Sequence, residues 1–346
     1  MKKNLLVYVQ QKGHGWASID HMAKIAARCL GAEFLEIDDI DSVSVSCIVA
    51  GFFARETVRY DSCIIVCPSP SDMRAVHLLR RSGLRADLTV AWVIDSFWTE
   101  YIRKSVTVLK VFDHVFLTCF DDLPAWRKKT GLPCSYLPWG ADVLGMGSAA
   151  SPREIDLLRV GRQPAIWDDD EASRQACEAA GLVFSGRPPF EADRDRAQSS
   201  LVDYLKRSKH LLAYSNIACP SSYTHPVRQY LTGRWMDGLA AGCVIAGIPP
   251  VSPAIDEILW RDAILELPLD SRTKGIEMLR EAVSDWSAEI PVRNYRMSLQ
   301  KLDWRWRFDV LAKTLGMIAP VLATELDQVA SKLSLSSTNP EQPFCA

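Results

Sequence analysis

The sequence predicts an α/β protein built from two doubly wound domains, each a parallel sheet wrapped by helices. Three observations carry this expectation. The chain has 346 residues, long for one core, so two domains of about 150 residues are expected. Short, fully apolar runs alternate with helix-spaced segments through both halves, as in sheets buried on both faces. A stretch of small residues from Gly145 to Pro152 separates the two series and reads as a linker.

In the first half, strands are expected at Leu5–Val9, Glu33–Ile37, Ser62–Cys67, Thr89–Ile94, His114–Thr118 and Cys134–Leu137, with helices at Ile19–Leu30 and Asp72–Arg81. In the second half, strands fit Ile155–Val160, Leu182–Phe184, His210–Tyr214, Cys243–Ala246 and Ala263–Glu266. Helices fit Glu171–Ala180, Ser199–Ser208, Arg234–Ala241 and Ser271–Trp286. An aromatic-rich segment, Tyr295–Gly316, holds Trp304, Trp306 and Phe308, and the polar end from Ser331 to Ala346 reads as a disordered tail. The expected organisation is therefore 1–144, 153–290, C-terminal helices over 291–330 and a tail over 331–346.

Hydrophobic residues make up 48 % and charged residues 24 %, the profile of a folded soluble chain, and the net charge of -2 gives no reason to expect a nucleic-acid partner. The apolar run after Lys2 and Lys3 ends at Gln10, too short for a signal peptide. No segment reaches the roughly 20 apolar residues of a membrane span. The ten cysteines include no C-x-x-C pair, so free thiols in a cytoplasmic setting are expected rather than disulfides or a metal site.

The most informative string runs from Thr232 through Gly233, Arg234, Trp235, Met236, Asp237, Gly238, Leu239, Ala240 and Ala241 to Gly242, followed at once by an apolar strand. Gly242 suits the left-handed residue past a helix end. A polar loop, a helix N-terminus and a strand make a unit suited to phosphorylated ligands, because free N–H groups point at the anion. The string resembles the C-terminal nucleotide-sugar motif of group-1 GT-B glycosyltransferases, R-x-x-E-x-[LM]-A-x-G, with Arg234 on the Arg and Asp237 on the acidic position. Ile155–Arg162 is similar to the strand and Gly-Arg pair that open the second domain of that family, and Pro133–Asp142 to the segment closing the first.

The resemblance implies a GT-B fold, two Rossmann-like domains facing across a cleft, with nucleotide on the C-terminal side, acceptor on the N-terminal side, and the C-terminal helices over 291–330 crossing back to the first domain. It implies that Arg162, after Gly161, and Arg234 meet the pyrophosphate, since a guanidinium forks onto phosphate oxygens. Asp237 would accept from the ribose hydroxyls, although the family usually has the longer Glu there. Gln229, eight residues earlier, stands where retaining members carry a Glu against the donor sugar. Thr232, Gly233 and His225 would line the donor pocket, although an exposed loop histidine is the more common reading of His225. The family's second phosphate-binding Lys is absent; Trp167 and the triplet Asp168-Asp169-Asp170 follow instead, leaving Arg228 as the nearest second cation. Aspartates at a helix start read as complementing the helix dipole rather than as metal ligands.

In the first half, Asp95 ends an apolar strand and is the candidate general base for the acceptor hydroxyl, if burial raises its pKa; capping the next helix is the alternative. His14, between Gly13 and Gly15 after the first strand, is a second candidate base. The expected activity is sugar transfer from a nucleotide-diphosphate sugar to an acceptor hydroxyl, with retention slightly favoured and no metal or other cofactor. The acceptor stays open among glycan, lipid-linked, small-molecule and protein classes. Two alternatives remain: a non-catalytic GT-B protein that binds a nucleotide sugar or glycan, and a nucleotide-sugar epimerase on the same scaffold.

Overall fold

The computed structural model describes residues 3–38, 40–41, 43–189 and 191–338. The chain divides into two compact units, Met1–Pro138 with Arg305–Leu326, and Trp139–Trp304 with Asp327–Ala346.

The first unit runs β1 (Asn4–Val9), α1 (Ala17–Leu30), β2 (Ala32–Ile37), α2 (Val45–Phe53), β3 (Val58–Cys67), α3 (Ala75–Arg81), β4 (Leu84–Val93), α4 (Lys104–Val108), β5 (His114–Leu117), α5 (Leu123–Thr130) and β6 (Cys134–Tyr136). Its strands form one sheet in the order β2-β1-β3-β4-β5-β6, every pair parallel. Leu5, Val7, Ile65, Ala91, Val93 and Leu117 pack in one core.

The second unit runs α6 (Val143–Met146), β7 (Ile155–Arg159), α7 (Asp170–Ala179), β8 (Phe184–Ser185), α8 (Arg194–Lys206), β9 (Ser208–Leu212), α9 (Gly233–Ala240), β10 (Val244–Gly247), α10 (Pro253–Ile258), β11 (Ile264–Glu266), α11 (Arg272–Ser284) and α12 (Glu289–Lys301). Its sheet has the order β11-β10-β9-β7-β8, again all parallel. The chain ends with α13 (Trp304–Leu315) and α14 (Pro320–Thr338), and residues from Arg305 to Leu326 belong to the first unit.

Each sheet reverses its winding once, between β1 and β3 in the first unit and between β7 and β9 in the second. Ligands of doubly wound sheets bind outside the carboxyl ends of the strands at such a reversal. The loops leaving β7 and β9 are thus the place to look in the second unit.

Each expected strand has a counterpart, with bounds shifted by a few residues, because fully buried apolar runs are its direct signature. Helices α2, α4, α5, α6 and α10 have no counterpart among the expected elements. The segment Val45–Phe53 is apolar apart from Ser46 and so lacks the alternation of faces that marks an amphipathic helix. The expected linker is anchored within the second unit: Ser148 N–H donates to Ala240 O at 3.0 Å, and Gly147 sits where a Cβ would meet the Tyr295 ring at 2.7 Å. The tail expected to be disordered from Ser331 is helical through Thr338, with Lys332 Nζ 3.4 Å from the Tyr295 hydroxyl; residues 339–346 lie outside the described residues. Among the described residues nine cysteines are present, all unpaired and eight of them buried. No described helix is long and apolar enough to cross a membrane.

Candidate functional site

In the second unit, β7 leads into Gly161, whose φ of +71° falls in the left-handed region open to glycine. A Cβ there would lie 2.9 Å from Arg234 Nη1. The missing side chain thus lets the Arg234 guanidinium reach beneath the loop, where Nη1 donates to Val160 O at 2.8 Å and to Arg162 O at 3.0 Å. Gln163, buried, ties the same loop to β9 by donating to Val160 O and Leu212 O, each at 3.0 Å. The β7 and β9 ends are therefore fixed to each other and to α9.

Arg162 turns back over the loop that follows β9. Its Nε donates to Cys219 O at 2.6 Å, and its guanidinium lies 5.2 Å from the Tyr223 ring centre. Neither Arg162 nor Arg234 has a carboxylate partner among the described residues. Burial, and next the charge of Arg162, push the Arg234 pKa down to about 10, so both arginines remain cationic at neutral pH. Arg234 Nε is buried without a hydrogen-bond partner. Beside them α9 begins at Thr232, which is extended (φ -124°, ψ 166°) and makes no side-chain cap. The first-turn N–H groups of α9 thus go without the usual hydroxyl partner. Two paired cations without a counter-charge, next to an uncapped helix start, form an anion-binding arrangement.

The other expected donor-site residues are held by protein partners. Asp237 is buried, with Oδ2 accepting from Gln198 Nε2 of α8 at 3.3 Å. Gln229 Oε1 accepts from Val251 N–H at 3.0 Å. His225 is not the exposed loop histidine of the alternative reading: it is 4 % exposed, and its Nδ1 accepts from Val227 N–H at 3.2 Å and Arg228 N–H at 3.0 Å. These bonds close a tight turn that places the imidazole inside. Asn216 secures that turn from below, its Nδ2 donating to His225 O at 2.9 Å and Arg228 O at 2.7 Å. Sequence reasoning missed Asn216, because nothing local marks an amide that bonds across nine and twelve residues.

The aspartate triplet has a structural explanation. Asp169 caps α7, accepting from Glu171 N–H and Ala172 N–H at 3.0 Å each. Asp168 and Asp170 flank the fully buried Arg159, Asp170 Oδ1 lying 3.2 Å from its Nε. Arg159 at the end of β7 was also missed; an Arg closing an apolar strand nine residues before an Asp was the available signal.

In the first unit, Asp95 follows β4, its N–H donating to Pro68 O at 2.9 Å and its carbonyl accepting from Trp98 N–H at 3.2 Å. The next helical turn, Thr99–Tyr101, starts from Trp98 without a side-chain cap, so Asp95 does not cap it. Its carboxyl has no hydrogen-bond partner among the described residues. Burial first, and then the charge of Asp72, push its pKa up to about 7. Asp72, 3 % exposed, is pushed to about 6 by burial, although it accepts from Ser69 N–H at 2.8 Å and Gln11 Nε2 at 3.1 Å. His14 opens a short turn ahead of α1, and its side chain lies outside what the structure describes.

No protein-family profile matches the chain, and no curated protein sequence does. Solved structures do. HepE of Anabaena, crystallised with UDP and glucose, superposes with a TM-score of 0.52 at 10 % identity, over 90 % of this chain and 99 % of HepE. The pneumococcal O-GlcNAc transferase GtfA, with UDP and GlcNAc, gives 0.46 at 11 % identity over 80 % of this chain. The Gap123 glycosylation-associated complex of Streptococcus agalactiae gives 0.39 at 9 % over 80 %. The chain spans only 60 % of the GtfA chain and 54 % of the Gap123 chain. With two parallel-sheet α/β units and a likeness to HepE along almost its whole length, the chain has the two-domain, Rossmann-like fold of the GT-B glycosyltransferases.

Proposed function

We propose that the chain is a glycosyltransferase whose second unit holds a nucleotide-diphosphate sugar, with the pyrophosphate at Arg162, Arg234 and the start of α9. The observation that carries this reading is the pair of arginines, one on the loop after β7 and one on α9, that meet at that loop without a carboxylate partner among the described residues. Partly buried cations need a counter-charge, and a pyrophosphate supplies one. The likeness to HepE, solved with UDP and glucose, supports UDP as the first ligand to test.

In the reaction, the bond between the sugar C1 and the phosphate oxygen breaks and a bond from the acceptor oxygen to C1 forms. The nucleoside diphosphate leaves with the bonding electrons. The arginines meet that charge as it grows, which favours the transition state over the ground state. Asp95 takes the acceptor proton, a role its raised pKa suits. Arginines serve as the phosphate cations in this scheme, so activity should survive chelation by EDTA.

Thermal shift against UDP, GDP, ADP, dTDP and CMP tests the donor site. A ligand at a hundred times its Kd adds about 2.7 kcal/mol of apparent stability. Selective stabilisation by one nucleoside diphosphate, lost in Arg162→Ala, is the expected result. No response to any of them would reduce the arginine pair to a structural feature. The non-catalytic alternative has one observation in its favour: Asp237 and Gln229 bond to Gln198 and Val251. Binding of a nucleotide sugar with neither hydrolysis nor transfer would select it.

A further inference from the structure

Helix α2 presents an apolar face to solvent. Cys47 and Gly51 are buried toward α3, where a Cβ on Gly51 would lie 3.3 Å from both Arg80 Cβ and Arg81 N. The opposite stripe, at positions i, i+4, i+7 and i+8, is Val45, Val49, Phe52 and Phe53, exposed by 78 %, 49 %, 54 % and 84 %. Four apolar side chains at helical spacing on one outward face differ from the single exposed apolar residues every protein surface has.

Four arginines lie near the C-terminal end of this helix. Arg55 follows two residues after Phe53, and Arg80 and Arg81 lie beneath Gly51. Arg85 closes the helix by donating to Gly51 O at 2.8 Å and Ala54 O at 3.2 Å. Arg55 and Arg81 are exposed and in no ion pair among the described residues, whereas Arg80 and Arg85 are half-buried and feel Asp113 and Glu56; Glu56 itself is paired with Arg59. Exposed aromatics near the exposed Arg55 and Arg81 match the two layers of a bilayer surface, acyl chains beneath anionic headgroups. The face is thus apolar along the stripe, with exposed cations near one end of the helix.

We propose that α2 is a peripheral membrane contact, which seats Phe52 and Phe53 at the acyl boundary of a bilayer while Arg55 and Arg81 meet anionic phospholipid headgroups. This stands apart from the donor site and does not depend on it. The test is co-sedimentation of the full chain with phosphatidylcholine vesicles, with and without about 30 % phosphatidylglycerol, at about 50 and 300 mM salt. Binding should require the anionic lipid and weaken with salt. Phe52→Ser with Phe53→Ser should lower the partition coefficient about tenfold or more, and Arg55→Gln or Arg81→Gln about fivefold each. All four side chains lie outside the core, and an unchanged Tm would show that each variant folds. Failure of the wild-type chain to bind anionic vesicles at low salt would overturn the proposal, as would equal binding by the double Phe variant. Light scattering covers the rival occupant: a dimer that dissociates on Phe52→Ser with Phe53→Ser would assign the face to a second copy and also overturn it.

Discussion

Arg162 and Arg234 differ in what their nitrogens already do, and this separates the results of removing them. Arg234 Nη1 satisfies two loop carbonyls, so Arg234→Ala strands both acceptors and empties a buried site. It should lower stability by about 2 kcal/mol and also weaken donor binding. Arg162 makes lighter contacts, its Nε on Cys219 O and its guanidinium against Tyr223. Arg162→Ala should raise the donor Kd by about tenfold or more and change Tm little, which calorimetry beside thermal melts would check. Asp95 adds a pH signature. A base with a pKa of about 7 gives an acid limb near that pH in kcat/KM. Asp72→Asn removes a like charge and should move the limb to lower pH, whereas Asp95→Asn should cut turnover about a hundredfold or more. The same raised pKa makes Asp95 a stability cost. The folded chain holds that proton more tightly than the unfolded chain, so stability falls as pH rises from the ordinary carboxylate range through about 7. Asp95→Asn should therefore raise Tm more at about pH 8 than at about pH 4.

At the scale of elements, the site is the loop from β7 to Arg162 laid on the start of α9, and Gly161 is the residue that allows it. Gly161→Ala combines a left-handed φ of +71° with a Cβ 2.9 Å from Arg234 Nη1, so it should cost about 1–2 kcal/mol and shift that guanidinium. Loss of nucleotide affinity together with lower Tm is the expected result. Part of this element was legible: Arg234 lies against Gly161 and Arg162, and Thr232 and Gly233 adjoin it in sequence. Gln229 and Asp237 were less so, because their partners Val251 and Gln198 come from segments 22 and 39 residues away. Strands were easier to read than helices throughout, since a strand buried on both faces announces itself by unbroken apolar residues. Val45–Phe53 breaks the corresponding helix rule: its outer face is as apolar as its inner one, so no pattern separates them.

At the scale of the chain, two doubly wound units were foreseeable from length and alternation alone, whereas the return of the C-terminal helices to the first domain was expected only from the family resemblance. Arg305–Leu326 belongs to the first unit, where Glu325 bonds Arg28, accepts from Arg305 Nε at 2.8 Å and lies 3.3 Å from Cys29 Sγ. Burial pushes the Glu325 pKa up, but the hydrogen bonds from Arg28, Arg305 and Cys29 outweigh it and hold the carboxyl below its ordinary value. Such a group stabilises the fold above its unfolded pKa, and the contribution fades as pH falls through the folded value. Glu325→Gln should lower Tm by several degrees at about pH 7, with the gap to wild type closing below about pH 4.

The turn held by Asn216 has a consequence for how this chain changes over generations. One buried amide and one buried imidazole fix the path from His225 to Arg228 from the inside, while Tyr223 and Val227 point outward, 68 % and 76 % exposed. Shape and recognition are therefore assigned to different residues. Mutation can redraw the outer surface of the turn at little cost to folding, whereas drift at Asn216 or His225 would remove the shape itself. Such a division lets one scaffold take on new partners by neutral steps.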